Sequence, residues 1–147
     1  MIFEKNTHSL SGLIMHFHEM GRTLQLEDLK VYLVAMEIGE IVWKLINKWD
    51  YFSKKTLGAQ FIEAADSIAL NISEGYGRYH YKENKNFNYY SRGSAKETST
   101  ALKKAIDRNL ITPEDFILLK QKLDLYFRLS HGYIQSIGKI KNIDTSM

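Results

Sequence analysis

A single proline, Pro113, interrupts the 147 residues of this chain, and that scarcity restricts its fold more than any other feature. Proline lacks a backbone donor and its ring clashes inside a helix, so long helices exclude it while β-rich and loop-rich chains use several. The apolar pattern agrees. Between 26 and 49, Leu26, Leu29, Leu33, Met36, Val42, Leu45, Ile46 and Trp49 recur mostly at helical spacing, with Tyr32, Ile38, Ile41 and Trp43 widening the stripe. A second helix is predicted over 55–74, with Phe61, Ala64, Ala65, Ile68 and Ile72 on one face and Gly75 as its stop through a left-handed C-cap. The alanines in that face permit close approach by a neighbour.

A third helix is predicted over 81–108, burying Phe87, Tyr90, Ser94, Thr98, Ala101, Leu102 and Ala105 and ending at Asn109. The fourth has the clearest start: Thr112 offers a capping hydroxyl, Pro113 takes the first helical position, and Glu114 and Asp115 place acids in the first turn. It continues through Phe116, Leu119, Leu123, Tyr126, Phe127, Leu129, Tyr133, Ile137 and Ile140. No segment alternates with period two. The pattern predicts an all-α fold, an antiparallel up-down four-helix bundle over 21–141. Residues 1–20 read as an upstream extension, because the regular pattern begins only after Met20, and 142–147 as a frayed tail.

Composition excludes several function classes. With 44% hydrophobic and 25% charged residues the chain is of globular type. The absence of cysteine removes disulfides, thiol catalysis and cysteine zinc sites, and suits a cytoplasmic setting. No run of eighteen apolar residues exists, so no membrane partner is expected. Gly75-x-Gly77 follows a helix and lacks the Lys-Ser/Thr of a phosphate loop. His16-x-His18-Glu19 is a weak ligand pattern in an irregular stretch, and His131, alone among apolar residues, is expected to be packed. With no nucleophile–base arrangement legible, no enzyme activity, metal or cofactor is expected.

Charge is unevenly spread. The whole chain carries +3, whereas 78–108 holds eight basic residues (Arg78, Lys82, Lys85, Arg92, Lys96, Lys103, Lys104 and Arg108) against three acids, a net of +5. Tyr76, Tyr79, His80, Tyr81, Phe87, Tyr89 and Tyr90 are interleaved with them. Cations meet phosphates and aromatic rings stack on unpaired bases, so this stretch is the candidate nucleic-acid surface. The plain alternative is a solvated helix face with its rings packed inside. Asn71, Glu74, Arg78 and Arg92 are read as a structural polar network that sets helix register.

The run GAQFIEAADSIALNISEGYGR at 58–78, with Ser91-Arg92-Gly93-Ser94 and Glu97-Thr98 further on, resembles a bacterial family. These are the small four helix bundle proteins, also described as 23S ribosomal RNA intervening-sequence proteins. The stretch Leu26-Glu27-Asp28-Leu29-Lys30-Val31-Tyr32 is similar to the family's opening block, and the resemblance extends to Ile140. It implies a protomer that assembles with itself into a ring, commonly a pentamer. It also implies a tie to nucleic acid, RNA or DNA, and to a protein partner, through a related member, the accessory variability protein of diversity-generating retroelements. Trp43, Trp49, Tyr51, Phe52, Tyr126 and Tyr133 are candidates to line such a ring's contacts. One departure weakens the nucleic-acid implication. Where many relatives carry an arginine pair after the glutamine, this chain has Gln60-Phe61-Ile62-Glu63-Ala64-Ala65. A protein–protein adaptor with no nucleic-acid role is the alternative function.

Overall fold

Gln25 opens the described part of the computed structural model, which covers residues 25–139. The expected extension at 1–20, the tail at 142–147 and Ile140 lie outside the described residues. The Gln25 amide donates to Asp28 Oδ2 at 2.9 Å, closing a 3-10 turn over Leu26–Asp28. Helix α1 follows at Lys30–Ile46. Asp50 then caps a helical turn, Tyr51–Ser53, accepting from the Ser53 amide at 2.9 Å and its hydroxyl at 2.7 Å. Those donors hold the Asp50 carboxyl below its ordinary range. A π-helical turn, Lys54–Gly58, leads directly into α2 at Ala59–Tyr76.

Helix α3 spans Tyr81–Asp107. It ends as the sequence indicates, with Asn109 left-handed at φ 58°. The Leu110 amide returns to the Ala105 carbonyl and the Asn109 amide to that of Ile106, a Schellman closure. Helix α4, Pro113–Ser136, starts with the Thr112 hydroxyl accepting from the Asp115 amide at 3.1 Å.

Each helix packs on its sequence neighbours, and α1 meets α4 to close the cycle. Cross-helix contacts give the direction. Gly39 faces Asp66 and Gly58 faces Ile46; Gly75 faces Asn84, and Tyr81 lies beside Gly138. The end of each helix thus meets the start of the next, an antiparallel up-down bundle. The expected α2 face is buried throughout: Phe61, Ala64, Ala65, Ile68 and Ile72. Phe61, Ala65, Ile68 and Ile72 join one core with Ile38 and Val42 from α1 and Leu119 and Leu123 from α4.

Three sequence expectations need correction. On α1 the expected Ile38, Val42, Leu45 and Ile46 are buried together with Val31, Val34 and Ala35, while Leu33, Met36 and Trp43 are exposed. On α3, Tyr90 is 59% exposed, and Asn88, Ser91 and Ala95 are buried instead. Polar residues take core positions there because they are hydrogen-bonded. The Tyr126 hydroxyl lies 2.6 Å from Ser91 Oγ, which donates onward to the Ile68 carbonyl at 2.7 Å. Asn88 donates to both the carbonyl and the side-chain oxygen of Asn84. Burial of Tyr126 pushes its hydroxyl pKa up, with the Ser91 bond opposing.

The third correction concerns Gly75. Helix α2 runs through it to Tyr76, and Gly77 stays right-handed at φ −76°. The glycine is needed for room. A Cβ at 75 would lie 2.8 Å from Asn84 Oδ1 and 2.9 Å from both the Asn84 carbonyl oxygen and Phe87 Cβ. Gly93 has open space around it. Gly75→Ala should therefore lower stability by about 2 kcal/mol or more, and Gly93→Ala should raise it by about 0.5–1 kcal/mol. Urea unfolding of both variants checks the pair.

Asp66 is partly withdrawn from water against Gly39, and desolvation, with Glu40 nearby, raises its pKa. Ionisation of a group raised in the folded state favours the unfolded chain. The stability it contributes is present at low pH and is lost as pH rises through the ordinary carboxylate range toward the raised value. Asp66→Asn should accordingly raise the melting temperature at pH 7. That gain should disappear below about pH 4.

Candidate nucleic-acid interface

Once Ser91 is turned inward, the rotation of α3 is fixed, and its basic residues sort by spacing. Lys85, Arg92, Lys96 and Lys103 recur at seven, four and seven residues, so they share one flank. Lys82, three residues before Lys85, extends it toward the start of the helix. At a rise of 1.5 Å per residue the flank from Lys82 to Lys103 is about 30 Å long.

This flank faces α4. The Lys96 ammonium sits 4.4 Å from the centroid of the Phe127 ring, and the Arg92 guanidinium lies 5.3 Å from that of Tyr89 on its own helix. Rings beneath cations restrain them by the attraction of the ring quadrupole. Lys82, Lys96 and Lys103 are exposed, and Lys85 and Arg92 are half-buried. Lys82 and Lys85 have no ion pair among the described residues, and Lys103 pairs with Asp107 at the edge.

Lys104 and Arg108 do not join this flank. Both are exposed, but Lys104 turns toward α2, lining an open groove with Gln60, Glu63, Ser67 and Glu97 that Lys96 of the flank also borders. Arg108, one turn further on, continues that second side. Arg78 lies in the α2–α3 turn, paired with Glu74 at 2.6 Å and 4.9 Å from the Phe87 ring centroid. Around it stand exposed rings: Tyr79 is 86% accessible and packs edge-on against His80. Tyr89 lies on the cationic flank and Tyr90 on the far side, edge-on to Phe87.

Asn71, Glu74, Arg78 and Arg92 do not form a single network. Asn71 donates to the Ser67 carbonyl within its own helix at 2.9 Å. Glu74 and Arg78 form an exposed pair one turn apart, and Arg92 stacks elsewhere, on Tyr89. The buried polar contacts between helices belong to Ser91, Tyr126 and the Ile68 carbonyl.

Sequence reasoning missed the contribution of α4. Lys120 and His131 lie seven residues before and four after Phe127, which puts them on the same side, and both are exposed. Lys120 pairs with Asp124 at 3.4 Å. His131, expected to be packed, is open to solvent. Their spacing from Phe127 was readable, but not the direction in which Phe127 points. Of the aromatics proposed for subunit contacts, Trp49, Tyr126 and Tyr133 are buried within the protomer, while Trp43, Tyr51 and Phe52 are exposed. No group of three potential metal ligands occurs among the described residues, and none of their helices is long and apolar enough to cross a membrane.

The profile of the 23S rRNA-intervening sequence proteins matches residues 27–132, most of the bundle from the turn before α1 into the last part of α4. The chain belongs to that family. No curated protein matches it. As a member of the 23S rRNA-intervening sequence protein family it keeps, inside the matched span, the GYGR turn and the whole cationic flank of α3. Because the Glu74–Arg78 pair is exposed, Glu74→Ala should change stability by no more than about 0.5 kcal/mol. A loss of several kcal/mol in thermal unfolding would instead mark the pair as part of a buried network.

Proposed function

We propose that this protein is a non-enzymatic, self-assembling four-helix module that binds nucleic acid along the α3 flank. Lys82, Lys85, Arg92, Lys96 and Lys103 supply the cations. One observation carries the reading: Arg92 and Lys96 are stacked on Tyr89 and Phe127, on one exposed side of one helix. A row of restrained cations meets successive phosphates, and exposed rings toward its start (Tyr79, Tyr89) offer stacking surfaces for unpaired bases. Such a surface favours single-stranded or looped polymer over duplex, because rings stack only on bases that are free. RNA is the first polymer to test, in a family named for 23S rRNA intervening sequences.

Assembly into a ring, a pentamer by resemblance, would repeat the flank around the particle and convert weak contacts into avidity. A purely protein-binding role is favoured by a different observation, the exposed apolar side chains Leu33, Met36, Trp43 and Leu70.

Fluorescence anisotropy of a single-stranded RNA titrated at several salt concentrations separates the two. The nucleic-acid reading predicts affinity that falls with salt, with a slope of about 0.7 per phosphate neutralised. Replacing Lys82, Lys85, Arg92 and Lys96 by alanine should weaken binding and flatten that slope by roughly three. Lys104→Ala with Arg108→Ala, on the other side of α3, should change little. No binding at low salt would leave the adaptor reading.

A further inference from the structure

Where α1 passes into α2, two large rings and three lysines stand together at the surface. Tyr51 and Phe52 are consecutive, and they are 79% and 74% exposed. Lys48 precedes the pair by three residues, and Lys54 and Lys55 follow it after Ser53. All three lysines are exposed, and none has an ion pair among the described residues. The one acid within 48–55 is Asp50, whose two carboxylate oxygens accept from the Ser53 amide and hydroxyl.

Packing on both sides holds the rings outward. Trp49 and Leu57 are buried, and the Trp49 ring lies 6.2 Å from that of Phe61. A Cβ at Gly58 would lie 3.0 Å from both Ile46 Cγ2 and the Ser53 carbonyl oxygen, so the turn sits tightly on the end of α1. Between these anchors the Lys54 amide donates to the Asp50 carbonyl at 3.0 Å, and the Thr56 hydroxyl to that of Phe52 at 2.8 Å. The fold itself does not call for this corner. Adjacent rings left in water forgo the burial that aromatic side chains otherwise supply, which marks a contact surface. Lysines early in a helix oppose its dipole, so Lys54 and Lys55 do not serve helix stability.

We infer that this corner is a second contact for single-stranded nucleic acid. Tyr51 and Phe52 stack on unpaired bases, and Lys48, Lys54 and Lys55 meet the phosphates beside them. Charge complementarity selects the occupant, because a polyanion with free ring faces satisfies the lysines and the rings together. The contact rests on the nucleic-acid reading of α3 and shares its chemistry, but not its place. Helical structure runs from Tyr51 to Tyr76, about 37 Å at 1.5 Å per residue. The corner therefore stands at the opposite end of the bundle from Tyr79. Rings at both ends hold separate stretches of a strand and extend its footprint beyond the α3 flank.

Two full-length variants test this, one without the rings (Tyr51→Ala with Phe52→Ala) and one without the charges (Lys48→Ala, Lys54→Ala and Lys55→Ala). The probe is a labelled single-stranded oligouridylate long enough to span the bundle, followed by anisotropy at several salt concentrations. Loss of the rings should weaken binding at least about fivefold and leave the salt slope unchanged, because stacking releases no counterions. Loss of the lysines should weaken binding and flatten the slope by roughly two. If both variants bind like the wild type while the α3 flank variant binds more weakly, this contact is overturned and the flank reading stands. A wild type that binds no RNA at low salt overturns both. Sedimentation of the ring variant should match the wild type, and a changed assembly state would assign the rings to a subunit contact instead. Binding to phosphatidylglycerol vesicles that both variants lose, with RNA affinity unchanged, would assign the corner to a lipid surface and overturn the inference as well.

Discussion

The Ser91 hydroxyl fixes how α3 is turned, and most of what this surface can do depends on that rotation. It lies between two partners on different helices, the Tyr126 hydroxyl of α4 and the Ile68 carbonyl of α2. A buried hydroxyl left without them would cost about 1–3 kcal/mol, so alternative rotations of α3 are penalised as well as unpacked. Gly75 acts with it. By admitting Asn84 and Phe87 against the α2 backbone, it lets the two helices close together beside their turn. With both ends of this contact set, Lys85, Arg92, Lys96 and Lys103 have one available direction.

That geometry separates two jobs which the sequence presents as one. The stretch from 58 to 78 supplies the packed α2 face and the glycine clearance, and its polar residues are satisfied locally: Asn71 on its own helix, Glu74 by Arg78. The residues left open to a polyanion are those on α3 whose charge is not neutralised next door. Lys103 and Lys120, each paired with an aspartate one turn away, add less than Lys82 and Lys85. The pattern of free and paired cations therefore concentrates the available charge near the α2–α3 end, where the exposed rings also stand.

The sequence revealed the fold well where apolar residues carried it. The α2 face, the Thr112-Pro113 start of α4 and the Asn109 stop of α3 all follow from local rules that tertiary packing did not override. It failed where polar residues were buried. Asn88 and Ser91 looked like surface and displaced Tyr90 from the core, because a hydrogen bond to a distant carbonyl leaves no trace in periodicity. The broad apolar stripe of α1 hid a second surface, since Leu33, Met36 and Trp43 carry the same hydrophobic signal as the core residues beside them. The π-helical turn at Lys54–Gly58 had no sequence signal. The eight basic residues of 78–108 were legible, but their division between two sides of α3 required the rotation that Ser91 supplies, and the neighbouring Lys120 and His131 required the direction of Phe127.

In the proposed role, α3 meets nucleic acid along its cationic flank while α2 holds the fold. Photocrosslinking of a 4-thiouridine RNA to the full-length protein, with the adducts located by mass spectrometry, tests it most directly. Adducts are expected on Tyr79 and Tyr89 and on the flank between Lys82 and Lys96, lost at high salt. Adducts confined to the opposite side of α3, around Lys104 and Arg108, would contradict it.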